Sequence, residues 1–239
     1  MVGRDGAFGI LMGAAVGTLF LVPAHGSAQD STSVSCGNLT DRSPLEILVP
    51  CAERGFAYAQ YNLALMYAGG DGVTQDAAEA ARWFRLAAEQ GVVYAQLALG
   101  VLHVGGLGVA QDYAEAMRWY RLAAEQGDAG SQANLGLMYH NGNGVPQDRT
   151  EAARWYRLAA EQGHAEAQYN LGGMYGNGDG VPEDLVYAYM WFNLSAAQGH
   201  ETAQSYKDIV EQRMTREQIA EAQRLSREWI ETHPQDGGN

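Results

Sequence analysis

Trp83, Trp119, Trp155 and Trp191 stand 36 residues apart, and nearly everything around them recurs at that interval. Gly91, Gly127, Gly163 and Gly199 keep the same step. So do Gln60, Gln96, Gln132, Gln168 and Gln204, and so do Leu63, Leu99, Leu135 and Leu171. A fixed period of this size marks units that cannot bury their apolar faces alone and must stack on their neighbours to make a core. Such an architecture builds an extended surface rather than a closed reaction chamber.

Each repeat reads as two helices. In the first, Ala59, Leu63, Met66 and Tyr67 fall at spacings of three and four and share one face. Ala64, Gly100, Gly136 and Gly172 sit beside the leucines. A glycine inside a helix costs about 1 kcal/mol relative to alanine, so this column predicts a close helix–helix contact. A turn follows, as in Asn141-Gly142-Asn143-Gly144-Val145-Pro146. The second helix opens on Asp76, Asp112 or Asp148, with Glu79, Glu115 or Glu151 three residues on. That spacing predicts a cap in which both side chains satisfy orphan backbone N–H groups. Repeat four departs, with Tyr187 in the glutamate column. Ala80, Trp83, Phe84, Ala87 and Ala88 form the body of this helix, and Gly91 ends it. The fold class is all-α.

Within repeat four, Ala167, Leu171, Gly172, Tyr175, Gly178, Gly180, Val181 and Asp184 are followed by Ala188, Trp191, Ala196 and Gly199. This pattern, A-x-x-x-L-G-x-x-Y-x-x-G-x-G-V-x-x-D and then A-x-x-W-x-x-x-A-A-x-x-G, resembles the Sel-one-like repeat (SLR). It recurs four times, over residues 57–91, 92–127, 128–163 and 164–199. The resemblance implies an α-solenoid, a right-handed superhelix of helix-turn-helix repeats related to the tetratricopeptide solenoids. It implies protein–protein adaptor work, such as holding envelope complexes together or restraining a sensor.

In tetratricopeptide solenoids the first helix of each repeat lines the concave face. Carried over by register, the groove here takes Tyr58, Tyr61 and Asn62 from repeat one, and Tyr94 and Leu97 from repeat two. Asn134, His140 and Asn141 come from repeat three, and Tyr169, Asn170 and Asn177 from repeat four. Asn62, Asn134 and Asn170 share a column, and an asparagine amide can pair with both N–H and C=O of an extended peptide. Tyrosines offer broad contact surfaces. The expected partner is an envelope protein or peptide. Two other classes stay open. One is a glycan-binding or exopolysaccharide-export scaffold. The other is a β-lactam-binding or hydrolysing enzyme, as linked to cysteine-rich members with a cysteine pair in each repeat, which this chain lacks.

Flanking the array, residues 44–56 read as a lone second helix. Ser43-Pro44 opens it, Ile47 falls in the tryptophan column, Cys51 in an alanine column, and Pro50 keeps it short. After Gln204 the pattern decays into capping helices over 200–232, the last opened by Thr215 and Gln218 and lined by Ile219, Ala222, Leu225 and Trp229. Residues 233–239 read as a tail. At the other end, the uncharged stretch Ala7 to Val22 predicts a signal peptide over 1–28, cleaved before Gln29, with a linker over 29–43. The expected location is the periplasm, with membrane contact only through an uncleaved signal segment. Cys36 and Cys51, the only cysteines, are expected to bridge in an oxidising compartment, a staple worth about 3 kcal/mol in the loop-entropy account.

Composition narrows the partners. Asp plus Glu number 28 against 15 Lys plus Arg, the net charge is −13, and Lys207 is the sole lysine. That balance argues against nucleic acid and anionic lipid. Arg82, Arg118 and Arg154, and Arg85, Arg121 and Arg157, recur on the second helix, where Glu89, Glu125 and Glu161 are expected to pair with them. No H-E-x-x-H, G-x-S-x-G, paired C-x-x-C or G-x-x-x-x-G-K occurs. His164 and Glu166 form an isolated H-x-E. The Asn- and Asp-bearing turns lack the glycine and glutamate that a calcium loop requires. No catalytic residue, cofactor or metal is therefore expected. His103, in the tyrosine column, is expected in the core with its hydrogen bond satisfied.

Overall fold

The computed structural model describes Cys36 and residues 43–233. The segment expected to be a signal peptide, most of the expected linker and residues 234–239 lie outside the described residues. Among these, eleven helices and no strand occur: α1 (Leu45–Glu53), α2 (Ala57–Gly69), α3 (Ala77–Glu89), α4 (Val93–Gly105), α5 (Tyr113–Glu125), α6 (Ala129–Asn141), α7 (Arg149–Glu161), α8 (Ala165–Asn177), α9 (Leu185–Ala197), α10 (Glu201–Glu211) and α11 (Arg216–Thr232). Helices α2–α3, α4–α5, α6–α7 and α8–α9 are the first and second helices of the four repeats. The chain is an all-α solenoid with a period of 36. It divides into two compact units, up to Ala123 and from Ala124 onward.

Asp76 Oδ1 accepts from the N–H groups of Ala78 and Glu79 at 2.9 and 3.1 Å, and Asp148 Oδ1 from Glu151 N–H at 2.9 Å. The glutamates do not complete the expected reciprocal cap. The N–H of Asp76 already donates to Tyr67 O, and that of Asp148 to Tyr139 O, both at 2.9 Å. With that donor used to tie the turn to the first helix, the glutamates turn to arginine instead. Arg82, Arg118 and Arg154 pair with Glu79, Glu115 and Glu151 three residues back, at 3.0, 2.7 and 2.5 Å. Each guanidinium also lies over the adjacent Trp83, Trp119 or Trp155, 3.9–4.3 Å from the ring centroid. These arginines therefore cover the repeat tryptophans. Arg157 donates to the Tyr175 hydroxyl at 2.7 Å.

The glutamine column is a buried ladder. Gln60, Gln96 and Gln168 are buried and donate through Nε2 to Ala52 O, Ala88 O and Ala160 O, each at 3.1 Å. Each ties the start of a first helix to the last turn of the second helix before it. Gln90, Gln162 and Gln198 then donate to Gln60, Gln132 and Gln168 at 2.7 Å. One carbonyl group in the last turn of each of these helices thus gains a side-chain partner without water. Truncating one such glutamine would leave buried groups unpaired, at a cost of about 1–3 kcal/mol.

Close approach explains the helical glycines. A Cβ on Gly100 would meet Tyr120 at 2.3 Å, on Gly136 Tyr156 at 2.6 Å, and on Gly172 Phe192 at 3.0 Å. Burial pushes the Tyr120 and Tyr156 hydroxyls well above their ordinary pKa. In the turns, Gly108 (φ +68°) and Gly180 (φ +74°) lie against backbone. A Cβ there would sit 2.1 Å from Ala77 O and 2.3 Å from Arg149 O, in the second helix of the preceding repeat.

In the first unit the core joins Leu48, Cys51, Leu63, Trp83, Phe84, Leu99, Leu102 and Trp119. Helix α1 has Pro44 in the cap position, one residue later than the sequence implied, and contains Pro50. Cys36 is bonded to the buried Cys51, with the Cα atoms 5.6 Å apart, tying Cys36 to α1. His103 is buried, but neither ring nitrogen has a hydrogen-bond partner, contrary to expectation. In the second unit the core holds Tyr156, Leu171, Met174, Met190, Trp191 and Leu194. Leu225 and Trp229 of α11 pack against it, with Trp229 edge-on to Trp191 at 6.4 Å. Thr215 and Gln218 form the predicted capping box. No helix among the described residues is long and apolar enough to cross a membrane.

Candidate functional site

The candidate binding residues divide between the two compact units. On the first unit, Tyr58 at the start of α2 is 62 % exposed and Tyr94 at the start of α4 is 41 % exposed. Tyr61 lies half-buried between Tyr94 and the core, 6.3 Å from Tyr94 and 5.8 Å from Phe84 by ring centroids. Leu97 is half-buried. Asn62 is only 7 % exposed, so its amide is not open to a ligand. The asparagine column therefore does not present one continuous row of side chains.

On the second unit, Asn134, Asn170 and Tyr169 are half-buried, while Asn141 and Asn177 at the helix ends are exposed. His140 is half-buried with Nδ1 4.0 Å from Asp179 Oδ2, and Arg149 Nη1 bonds Asp179 Oδ1 at 2.9 Å. Asp179 thus links the turn of repeat four to the second helix of repeat three. Asp184 caps α9. These turn carboxylates are occupied by structure, and no group of His, Cys, Asp and Glu able to hold a metal occurs among the described residues.

Tyr169 leads to residues that the sequence reading did not select. Its ring stacks on His200 at 4.4 Å and meets Tyr206 edge-on at 5.5 Å. His200 Nε2 lies 2.9 Å from Glu166 Oε2. Burial, and then the neighbouring Tyr206 hydroxyl, raises the Tyr169 pKa. Register gave the missing signal. Glu166 stands in the column of Tyr58 and Tyr94, and Tyr206 in the column of Asn62, Asn134 and Asn170. Tyr206 lies just past Gln204, after which the repeat pattern decays, and His200 lies at the boundary between repeat four and the capping helices. His164 of the H-x-E pair accepts from Ala167 N–H at 3.3 Å as a helix cap, and burial lowers its pKa.

An open cleft lies at the start of α9, lined by Glu183, Asp184, Arg213 and Gln218. All four are engaged. Arg213 pairs with Glu183, Asp184 caps α9, and Gln218 completes the α11 capping box.

Stacked helix pairs with exposed aromatic side chains define the helical-repeat class of interaction scaffold. The Sel1 repeat family model matches residues 57–92, 93–128, 129–164 and 165–200. The chain belongs to the Sel1 repeat family, whose members generally mediate protein–protein interaction. It is similar to a protective antigen of uropathogenic Escherichia coli strains with an SLR fold. Identity there is 37 % over 79 % of this chain, with a TM-score of 0.73. The match covers 41 % of that antigen, so this chain spans well under half its length. A Sel1 repeat protein from Oxalobacter formigenes is 36 % identical, with 81 % of this chain and 77 % of that one covered and a TM-score of 0.66. No functionally curated protein matches.

Proposed function

We propose that the protein is a non-catalytic adaptor of the bacterial cell envelope that receives a peptide or partner-protein segment on its first-helix faces. The observation that carries this reading is the exposure of Tyr58 and Tyr94 at matching positions of consecutive first helices. Exposed tyrosines give large, rigid contact area with a polar tip, which suits a reversible protein interface. The envelope location is supported by the signal-like N-terminal sequence and by the Cys36–Cys51 bridge, a bond that persists in oxidising compartments.

The test is affinity capture from an envelope extract with the full chain and a Tyr58→Ala, Asn134→Ala, Asn170→Ala variant. A specific protein retained by the wild type and lost from the folded variant is the expected result. Equal retention by both would reject the first-helix faces as the binding surface. Retention of cell-wall or capsular polysaccharide and of no protein would replace the adaptor with the glycan scaffold.

A further inference from the structure

Three times this fold builds the same small assembly: a guanidinium over an aromatic ring, held by a carboxylate. Arg82 with Trp83 and Glu79, Arg118 with Trp119 and Glu115, and Arg154 with Trp155 and Glu151 are its instances. The first-helix face at the end of the second unit has the rings and the carboxylate but lacks the arginine. Tyr206 is 46 % exposed and is braced by Tyr169 at 5.5 Å and Phe192 at 5.7 Å. His200 stacks on Tyr169 and fixes Glu166 through Oε2, while more than half of the Glu166 side chain stays open to solvent. Lys207, next to Tyr206, turns instead to the Tyr189 ring at 5.7 Å.

We propose that Tyr206, Tyr169, His200 and Glu166 form a receptor for a single arginine side chain of the partner. The Tyr206 ring gives the guanidinium a stacking face. Glu166 Oε1, left over from the bond to His200, gives it a charge-assisted acceptor. Arginine fits better than lysine because a planar guanidinium can stack and donate in its own plane at once. The exposed carboxylates of Glu201 and Asp208 on the same helix, and a net charge of −13, add a field that favours a cation. This inference rests on the protein-partner reading above and names one chemical requirement of that partner.

The test is titration of the full chain with N-acetyl-arginine methylamide and its neutral citrulline counterpart, read by NMR at the ring protons of Tyr206 and His200. The arginine probe is expected to shift both rings saturably, and the citrulline probe to bind about tenfold more weakly or less. Tyr206→Ala and Glu166→Gln should each weaken the arginine probe about five- to tenfold, with Tyr206→Phe within about twofold of wild type. Far-UV circular dichroism checks that each variant is folded, and the Phe variant keeps the ring should the Ala variant unfold. Equal response to citrulline, or no ring response to arginine in the wild-type chain, overturns the receptor. The probe is one capped residue, so its result does not depend on the larger partner. Probe binding with no protein ever captured would support this site and reject the protein-partner reading.

Discussion

Repeats one to three and repeat four share the same tryptophan column but cover its outer side by different means. In repeats one to three, an arginine lies over the tryptophan and a glutamate holds it, so the second helix faces water. In repeat four the arginine becomes Met190 and the glutamate Tyr187, and Trp191 is covered by Trp229 and Leu225 of α11. A third departure belongs with these. Gln75, Gln111 and Gln147 donate to the carbonyls of Ala68, Val104 and His140, whereas the same column in repeat four holds Glu183, which has no amide to donate. Arg213 supplies the missing bond, reaching both Gly176 O, at 3.2 Å, and Glu183. Leu194 is buried, whereas Leu122 and Leu158 in its column are exposed. Repeat four is thus not a decayed copy. Its substitutions form the seat of the C-terminal segment, which hides the apolar end that every solenoid must close.

This comparison can be broken first at the tryptophan. Trp191→Ala should cost about 3–5 kcal/mol in denaturant unfolding and also release α11. Trp83→Ala should cost a similar amount and leave α11 protected in hydrogen exchange. Next, Met190→Arg restores the residue of the earlier repeats. Placed under α11, it should cost about 3 kcal/mol and remove amide protection from residues 216–232. Unchanged protection there would show that α11 does not depend on an apolar seat.

The glycines sharpen the contrast at smaller scale. Gly136→Ala drives a methyl toward Tyr156 and should destabilise by about 1–3 kcal/mol. Gly173→Ala, in a helix and with nothing within 4 Å of the added methyl, should stabilise by up to about 1 kcal/mol. Equal effects at the two sites would contradict the close-approach account.

The smallest effect is electrostatic. The hydrogen bond from Arg154 holds the Glu151 carboxyl below its ordinary pKa of 4.5. A depressed acid contributes its stability in full above that value and loses it as pH falls through the lower folded value. The pair is largely exposed, so the loss should be about 0.5 kcal/mol. Glu151→Gln should remove that part of the acid dependence, read as the urea midpoint across the acid range.

The repeat architecture was legible because tryptophan, leucine and glycine recur at columns where packing tolerates little else. Local chemistry with two solutions was not. Asp76 followed by Glu79 fits a reciprocal cap or a cap plus an ion pair. The bond from Asp76 N–H to Tyr67 O, a contact between elements, selects the second. The glutamine column was visible, yet its partners are backbone carbonyls with no side-chain identity to recognise. Tyr58 and Tyr94 are exposed, whereas Asn62 is buried, since burial by neighbouring elements is not written in its own column. Tyr206 and His200 lie at the boundary between repeat four and the capping helices, where the consensus weakens, although register alone assigns both to occupied columns.

The most direct test of the account is site-specific photocrosslinking of the full chain in cells. A photoreactive phenylalanine would replace Tyr94 or Tyr206 on the first-helix faces, or Arg118 or Arg154 on the second helices. The account predicts a discrete protein adduct from Tyr94, Tyr206 or both, and none from the arginine positions. Adducts arising only from Arg118 or Arg154 would contradict it and move the interaction to the second-helix face.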